Sequence, residues 1–219
     1  MKILITSGGC KVPIDDVRHI GNFSSGRYGR ELAEAFLDAE HEVLFFYEHG
    51  STCPSFNRRG GGYNNLSRFI YKNYDEYLSV KDLIKREQPD VIISAAAISD
   101  YIVDKTEGKI SSSEDELVIR LQKGEKVIKS FRELSPNSII VGFKLLVGPT
   151  SEQKELAIEK VFSSGVDFVV YNDLLELRKG NTERQLFCNF DGGKHSREFT
   201  DPSYLVKFVD AYLKPHFTL

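Results

Sequence analysis

Six short apolar runs recur along the chain, at residues 3–6, 43–47, 68–71, 91–95, 139–143 and 168–171, and longer segments of helical periodicity lie between them. This alternation predicts an α/β fold, because parallel strands need a crossover and a helix packed on the sheet supplies it. The first helix is expected to begin near Ser24 or Ser25, placing Leu32, Ala33, Phe36 and Leu37 on one face. Further helices are predicted over 77–87, ended by Pro89; over 126–134, ended by Pro136; over 151–163, ended by Gly165; and over 202–213, opened by a proline and closed by Pro215.

The architecture that follows is doubly wound and Rossmann-like: a mostly parallel sheet with helices on both faces and its ligand end at the strand C-termini. At 219 residues a single domain over 1–219 is expected. Two segments break the alternation. Residues 53–66, with Arg58-Arg59-Gly60-Gly61-Gly62, read as a mobile surface loop. Residues 104–122 form an excursion in which a polar stretch with Ser111-Ser112-Ser113 precedes Leu117, Ile119 and Leu121. Their alternation predicts a half-buried strand, and the excursion a flap, a dimerisation ribbon, or both.

A formal net charge of -3 argues against a partner held by bulk attraction, so no nucleic acid and no membrane is expected. No apolar run is long enough to span a bilayer, and the start does not resemble a signal peptide. Cys10, Cys53 and Cys188 are widely spaced and odd in number, which fits reduced thiols in a cytoplasm and no structural metal.

The chemistry points to the loops. An apolar strand runs into Ser7-Gly8-Gly9, and a second small-residue stretch, Gly21 to Gly29, leads into the first helix. Bare N–H groups and a helix dipole at one place suit an anion such as phosphate. Common nucleotide motifs fail: around Gly108-Lys109, Val103 and Ile110 stand where a P-loop needs glycine and a hydroxyl, and the opening glycines do not make G-x-G-x-x-G. Tyr77 and Lys81 have the spacing of a dehydrogenase pair, yet packing and solvation on a helix explain them as well. The five histidines show no metal-ligand spacing. Three strand ends carry polar or aromatic groups: Ala96-Ala97-Ile98-Ser99-Asp100, Gly142-Phe143-Lys144 and Tyr171-Asn172-Asp173. Each has an ordinary reading as turn or surface, and their convergence on one sheet edge favours a site.

In order along the chain, these segments resemble the phosphopantothenate-cysteine ligase family. The family pattern DPVR.I.N.SSG..G is matched from Ile14-Asp15-Asp16-Val17-Arg18 through Asn22, Ser24, Ser25 and Gly26 to Gly29, AAVADY by residues 96–101, GFK by 142–144, and ND by Asn172-Asp173. The resemblance implies a free-standing ligase without the decarboxylase half. It would join 4'-phosphopantothenate to cysteine through an acyl-nucleotide, with CTP or ATP as co-substrate, Mg2+ and no flavin, commonly as a homodimer. It also implies roles. Asn22 would hold the activated carboxylate intermediate, with Ser24, Ser25, Gly26, Ala96 and Ala97 around the substrate. Gly8, Gly9, Asp100 and Phe143 would lie at the nucleotide, Phe143 against the base. Lys109 would reach its phosphates during activation, and Lys160 the triphosphate. Where the family carries further lysines this chain has Ser111, Ser112 and Ser164, so a nucleotide- or phosphate-binding regulatory homologue stands as an alternative; the doubly wound pattern with the Tyr77/Lys81 spacing leaves an NAD(P)-dependent oxidoreductase as another.

Overall fold

The computed structural model describes residues 1–55, 61–113, 115–190 and 193–213. Its elements follow one another as β1 (Lys2–Ser7), β2 (Lys11–Pro13), β3 (His19–Gly21), α1 (Arg27–Asp38), β4 (Glu42–Glu48), β5 (Leu66–Tyr71), α2 (Tyr74–Tyr77), α3 (Val80–Glu87), β6 (Val91–Ser94) and β7 (Tyr101–Ile102). The chain continues through β8 (Gln122–Lys123), α4 (Ile128–Leu134), β9 (Ile139–Leu146), α5 (Ser151–Phe162), β10 (Phe168–Asp173), α6 (Leu174–Arg178), β11 (Arg184–Phe190), β12 (Gly193–Phe199) and α7 (Ser203–Tyr212).

Eight strands form one sheet in the order β5-β4-β1-β6-β9-β10-β11-β12. The first six are parallel, and β11 and β12 add on antiparallel. From β1 the chain builds outward through β4 and β5, then returns to the other side for β6, β9 and β10. Strand order therefore reverses beside β1, and the crevice at the C-terminal ends of β1 and β6 is where an open α/β sheet takes its ligand.

Both faces are covered, so the central strands are apolar on both sides. Ile3, Ile5, Phe45, Ile93 and Val141 pack under Leu32, Phe36 and Leu37 of α1 and Leu205 and Val209 of α7. The α1 face is the predicted one. Leu4, Phe46, Ile92 and Ile140 lie on the other side, under Tyr77, Val80, Ile84, Phe131, Ile158 and Val161 of α2 to α5. Two small hairpins, β2–β3 and β7–β8, stand apart from the sheet.

Several local expectations are corrected. The first helix starts at Arg27, because Gly26 sits at φ +71 and breaks the helical path after Ser24 and Ser25. The predicted helix 77–87 is two helices. Asn73 Oδ1 accepts from Glu76 N at 2.9 Å and opens α2 early, and the chain re-enters α3 at Val80. The half-buried strand expected over Leu117, Ile119 and Leu121 is not formed: Leu117 and Leu121 are exposed, and the excursion pairs only at Gln122–Lys123, against Tyr101–Ile102. Alternation in sequence makes a strand only where a neighbouring strand receives its hydrogen bonds, and none of the described residues lies along 117–121 in that way. In the expected surface loop, Arg58, Arg59 and Gly60 lie outside the described residues, as does Pro215.

Candidate functional site

The crevice floor is built by Ser7-Gly8-Gly9 as the chain leaves β1. Gly8 holds φ +90, and a Cβ there would come within 2.9 Å of Glu48 Cβ and collide with the Ser51 hydroxyl. Its glycine is thus required by close packing on the end of β4. The Tyr71 hydroxyl, buried at the far end of β5, lies 2.9 Å from the Ser7 carbonyl and 2.8 Å from that of Gly9 and fixes the turn from below. Ser7 Oγ donates to the Gly26 carbonyl at 3.2 Å, tying the start of α1 to the end of β1.

Asn22 reaches across the crevice. Its Nδ2 donates to the carbonyls of Ala97 and Ile98, each at 3.2 Å, joining the second small-residue segment to the backbone beyond β6. Ala97 N in turn donates to the Gly8 carbonyl at 2.9 Å. Gly8, Gly9, Asn22, Gly26, Ala96 and Ala97 are therefore drawn together at one place. Ser24 and Ser25 are exposed beside them.

Lys109 arrives by a different device. The turn at residues 14–18 grips the segment 105–110 from both sides of the lysine. Buried Asp15 accepts from Val17 N (2.8 Å), Arg18 N (2.7 Å) and Ile110 N (3.1 Å), and Arg18 Nη2 donates to the Ile110 carbonyl at 2.8 Å. Asp16 accepts from Gly108 N at 2.9 Å and from the Lys105 ammonium at 2.5 Å, while its own N–H donates to the Gly108 carbonyl at 2.9 Å. Burial works to raise the Asp15 carboxyl, and the three N–H donors with Arg18 outweigh it, leaving it below the usual carboxylate range. The Lys105 ammonium and Gly108 N–H lower Asp16. Lys109 is held at its backbone neighbours while its own side chain is exposed.

The other expected residues are spread more widely. Asp100 is exposed at the β7 end, and its carbonyl accepts from Gly124 N at 2.9 Å. Burial first, then the ammonium groups of Lys129, Lys144 and Lys123, push Lys126 down, with Asp100 acting against them. Phe143 meets Tyr28 of α1 edge-on at 5.9 Å, and the Arg184 guanidinium stacks 3.5 Å from the Tyr28 ring centroid. Lys160 stands in the last turn of α5 on the α4 side, where its carbonyl accepts from Lys126 Nζ at 3.3 Å and from the Ser164 hydroxyl at 3.2 Å. None of these bonds joins Lys160 to the Asn22 crevice.

Tyr77 is wholly buried in the core, and Lys81 pairs with Glu125 at 2.6 Å. Both are occupied by packing and solvation. Among the described residues the three cysteines are free, burial pushes the Cys10 thiol up, and no three His, Cys, Asp or Glu residues gather as a metal cage. No described helix is long and apolar enough to cross a membrane.

Sequence reasoning gave no role of their own to six contributors. Asp15, Asp16 and Arg18 were legible only as part of a pattern, since their partner loop lies more than ninety positions away. Tyr71 ends a strand and carries no local signal. Lys11 and Glu48 pair at 2.5 Å beside the β2–β3 hairpin, on a pocket of about 260 Å³ that Asn22 and Phe23 also line. That hairpin was not anticipated.

A family model described as the DNA/pantothenate metabolism flavoprotein C-terminal domain matches residues 1–198. The chain is 33% identical over 181 residues to the coenzyme A biosynthesis bifunctional protein CoaBC of Methanocaldococcus jannaschii, across 79% of this chain and 40% of that protein. It is 28% identical over 225 aligned positions to phosphopantothenate--cysteine ligase 1 of Arabidopsis thaliana, across 79% of this chain and 69% of that one. The solved DNA/pantothenate metabolism flavoprotein from Streptococcus pneumoniae superposes with a TM-score of 0.82 at 25% identity, covering 97% of this chain and 99% of the other. The chain spans about two fifths of the length of the bifunctional relatives it matches.

Proposed function

The chain belongs to the family of the DNA/pantothenate metabolism flavoprotein C-terminal domain, and from that membership we propose that it joins 4'-phosphopantothenate to cysteine as a phosphopantothenate-cysteine ligase. A nucleoside triphosphate, CTP or ATP, activates the carboxylate with loss of pyrophosphate, and the amine of cysteine then displaces the nucleotide to form the amide. The observation that carries the reading is one continuous stretch, residues 14–29, that both closes the crevice through Asn22 and grips the loop of Lys109.

Acyl-nucleotide chemistry needs positioned donors around phosphoryl oxygens more than a strong base. Asn22, the backbone N–H groups of Gly8 and Gly9, and the N-terminus of α1 supply such donors on this reading, and the Lys109 ammonium takes up charge on the phosphates. In the present geometry both N–H bonds of the Asn22 amide are spent on Ala97 and Ile98, so taking a substrate oxygen exchanges one of them. Ser24, Ser25, Ala96 and Ala97 line the substrate, Asp100 and Phe143 the nucleotide, with Lys160 acting on the triphosphate. Magnesium, bound chiefly through the phosphates with at most a carboxylate such as Asp100, needs no protein cage. We place the reaction in the cytoplasm and assign the exposed segment around Leu117, Val118 and Leu121 to a homodimer contact.

The test is pyrophosphate release with CTP and ATP in parallel, each with and without cysteine. Release that requires phosphopantothenate, followed by cysteine-dependent amide formation, is expected; no release with either nucleotide sinks the proposal. Lys109→Gln is expected to lower kcat by about a hundredfold, the usual cost of one transition-state donor. Nucleotide binding without turnover in the unmodified chain would instead make it the regulatory homologue.

A further inference from the structure

Beside the crevice, the pocket between β2, β3 and the end of β4 is lined by Gly9, Lys11, His19, Asn22, Phe23 and Glu48, among others. At about 260 Å³ it falls below the range for drug-sized ligands, so it suits a small molecule. Its wall carries both signs of charge. The Glu48 side chain is only 7% exposed, and Lys11, its partner at 2.5 Å, is 41% exposed. Ser51 Oγ donates to the second Glu48 oxygen at 3.0 Å, and Lys11 Nζ also reaches the His49 carbonyl at 3.5 Å. Phe23 stands fully exposed at the rim.

A buried carboxylate is costly unless a cation meets it, and a lysine ammonium on a flexible stem is a movable partner. A zwitterion can enter such a pair without changing the net charge: its ammonium takes the place of the lysine on the carboxylate, and its carboxylate takes the released lysine. The exposed aromatic ring offers a contact for a small apolar or sulfur-bearing side chain. Asn22 is shared with the crevice, so the amine of such a ligand would lie next to the acyl group that Asn22 is proposed to hold.

We propose that this pocket is the binding site for the α-amino acid that supplies the amine, with Glu48 holding its ammonium, Lys11 its carboxylate and Phe23 its side chain. The inference rests on the ligase reading above and goes further in assigning the amine site. It is tested in the full chain by comparing L-cysteine with cysteamine, which keeps the amine and thiol and lacks the carboxylate. Lys11→Gln is expected to lower the ratio of kcat/KM for L-cysteine to that for cysteamine about tenfold, as loss of one charged hydrogen bond should. Lys11→Arg is expected to hold that ratio within about threefold of its original value. Equal losses for both amines overturn the inference, because the ion pair then serves only to support the hairpin. If the unmodified chain consumes neither amine, the ligase reading fails separately, and calorimetric titration with L-cysteine decides the pocket. Saturable binding that Lys11→Gln weakens sustains the assignment, and absence of binding overturns it.

Discussion

Gly8 and Asp15 show how single residues set this crevice. A side chain at Gly8 would have to hold a left-handed backbone and displace Ser51 and Glu48 at once. Gly8→Ala is therefore expected to cost about 1–3 kcal/mol of stability, read as a lower urea midpoint with unchanged slope. Asp15 acts through hydrogen bonds. Its folded carboxyl lies below its unfolded value, so its contribution is present above the ordinary aspartate range near about pH 4 and is lost as the pH falls through the folded value. The Ile110 amide is accordingly expected to stay protected at neutral pH and to lose protection, relative to its intrinsic exchange rate, as the pH falls through the folded value, and Asp15→Asn to lower that protection several-fold already at pH 7. Unchanged exchange in the variant would remove Asp15 as the anchor of the Lys109 loop. Gly8 was visible in the sequence as a glycine directly after an apolar strand, and Asn22 through the resemblance of its segment to the family pattern. Glu48 and Lys11 were not, because an ion pair between distant strands leaves no spacing to read.

At the scale of elements, apolar runs marked the six parallel strands; the central ones are apolar throughout because both faces are covered, whereas β5 at the edge carries exposed Ser67, Arg68 and Ile70. The β11–β12 hairpin escaped notice because it mixes buried Leu186, Cys188 and Phe199 with charged neighbours at the sheet edge. Helix ends followed caps more than periodicity. In α5, Thr150 Oγ1 accepts from Gln153 N at 3.2 Å while Gln153 Oε1 accepts from Thr150 N at 3.0 Å, a reciprocal capping box. Thr150→Ala is expected to cost about 1 kcal/mol in chemical denaturation. A loss well under half of that would mean that α5 is held by packing against β9 and β10 alone. In the excursion at 104–122, the turn at 14–18 holds residues 105–110, and the far end pairs as β8 with β7.

For the whole molecule, Leu117, Val118 and Leu121 lie close together in sequence and leave apolar surface uncovered. If that surface joins two copies, Leu117→Glu with Leu121→Lys shifts sedimentation toward the monomer while leaving the circular dichroism of the sheet in place; an unchanged sedimentation coefficient excludes this contact. A last consequence concerns when the crevice comes into being. β1 finds one neighbour in β4 and the other only in β6, and the grip of Asp15 on Ile110 joins positions 95 residues apart. Loop closure over such distances is paid late in folding. During synthesis the stretch from β1 to the start of α1 would carry half of the proposed recognition groups yet have nothing to bind with until the chain through Ile110 has emerged, so competence for ligand would report that the sheet has closed around β1.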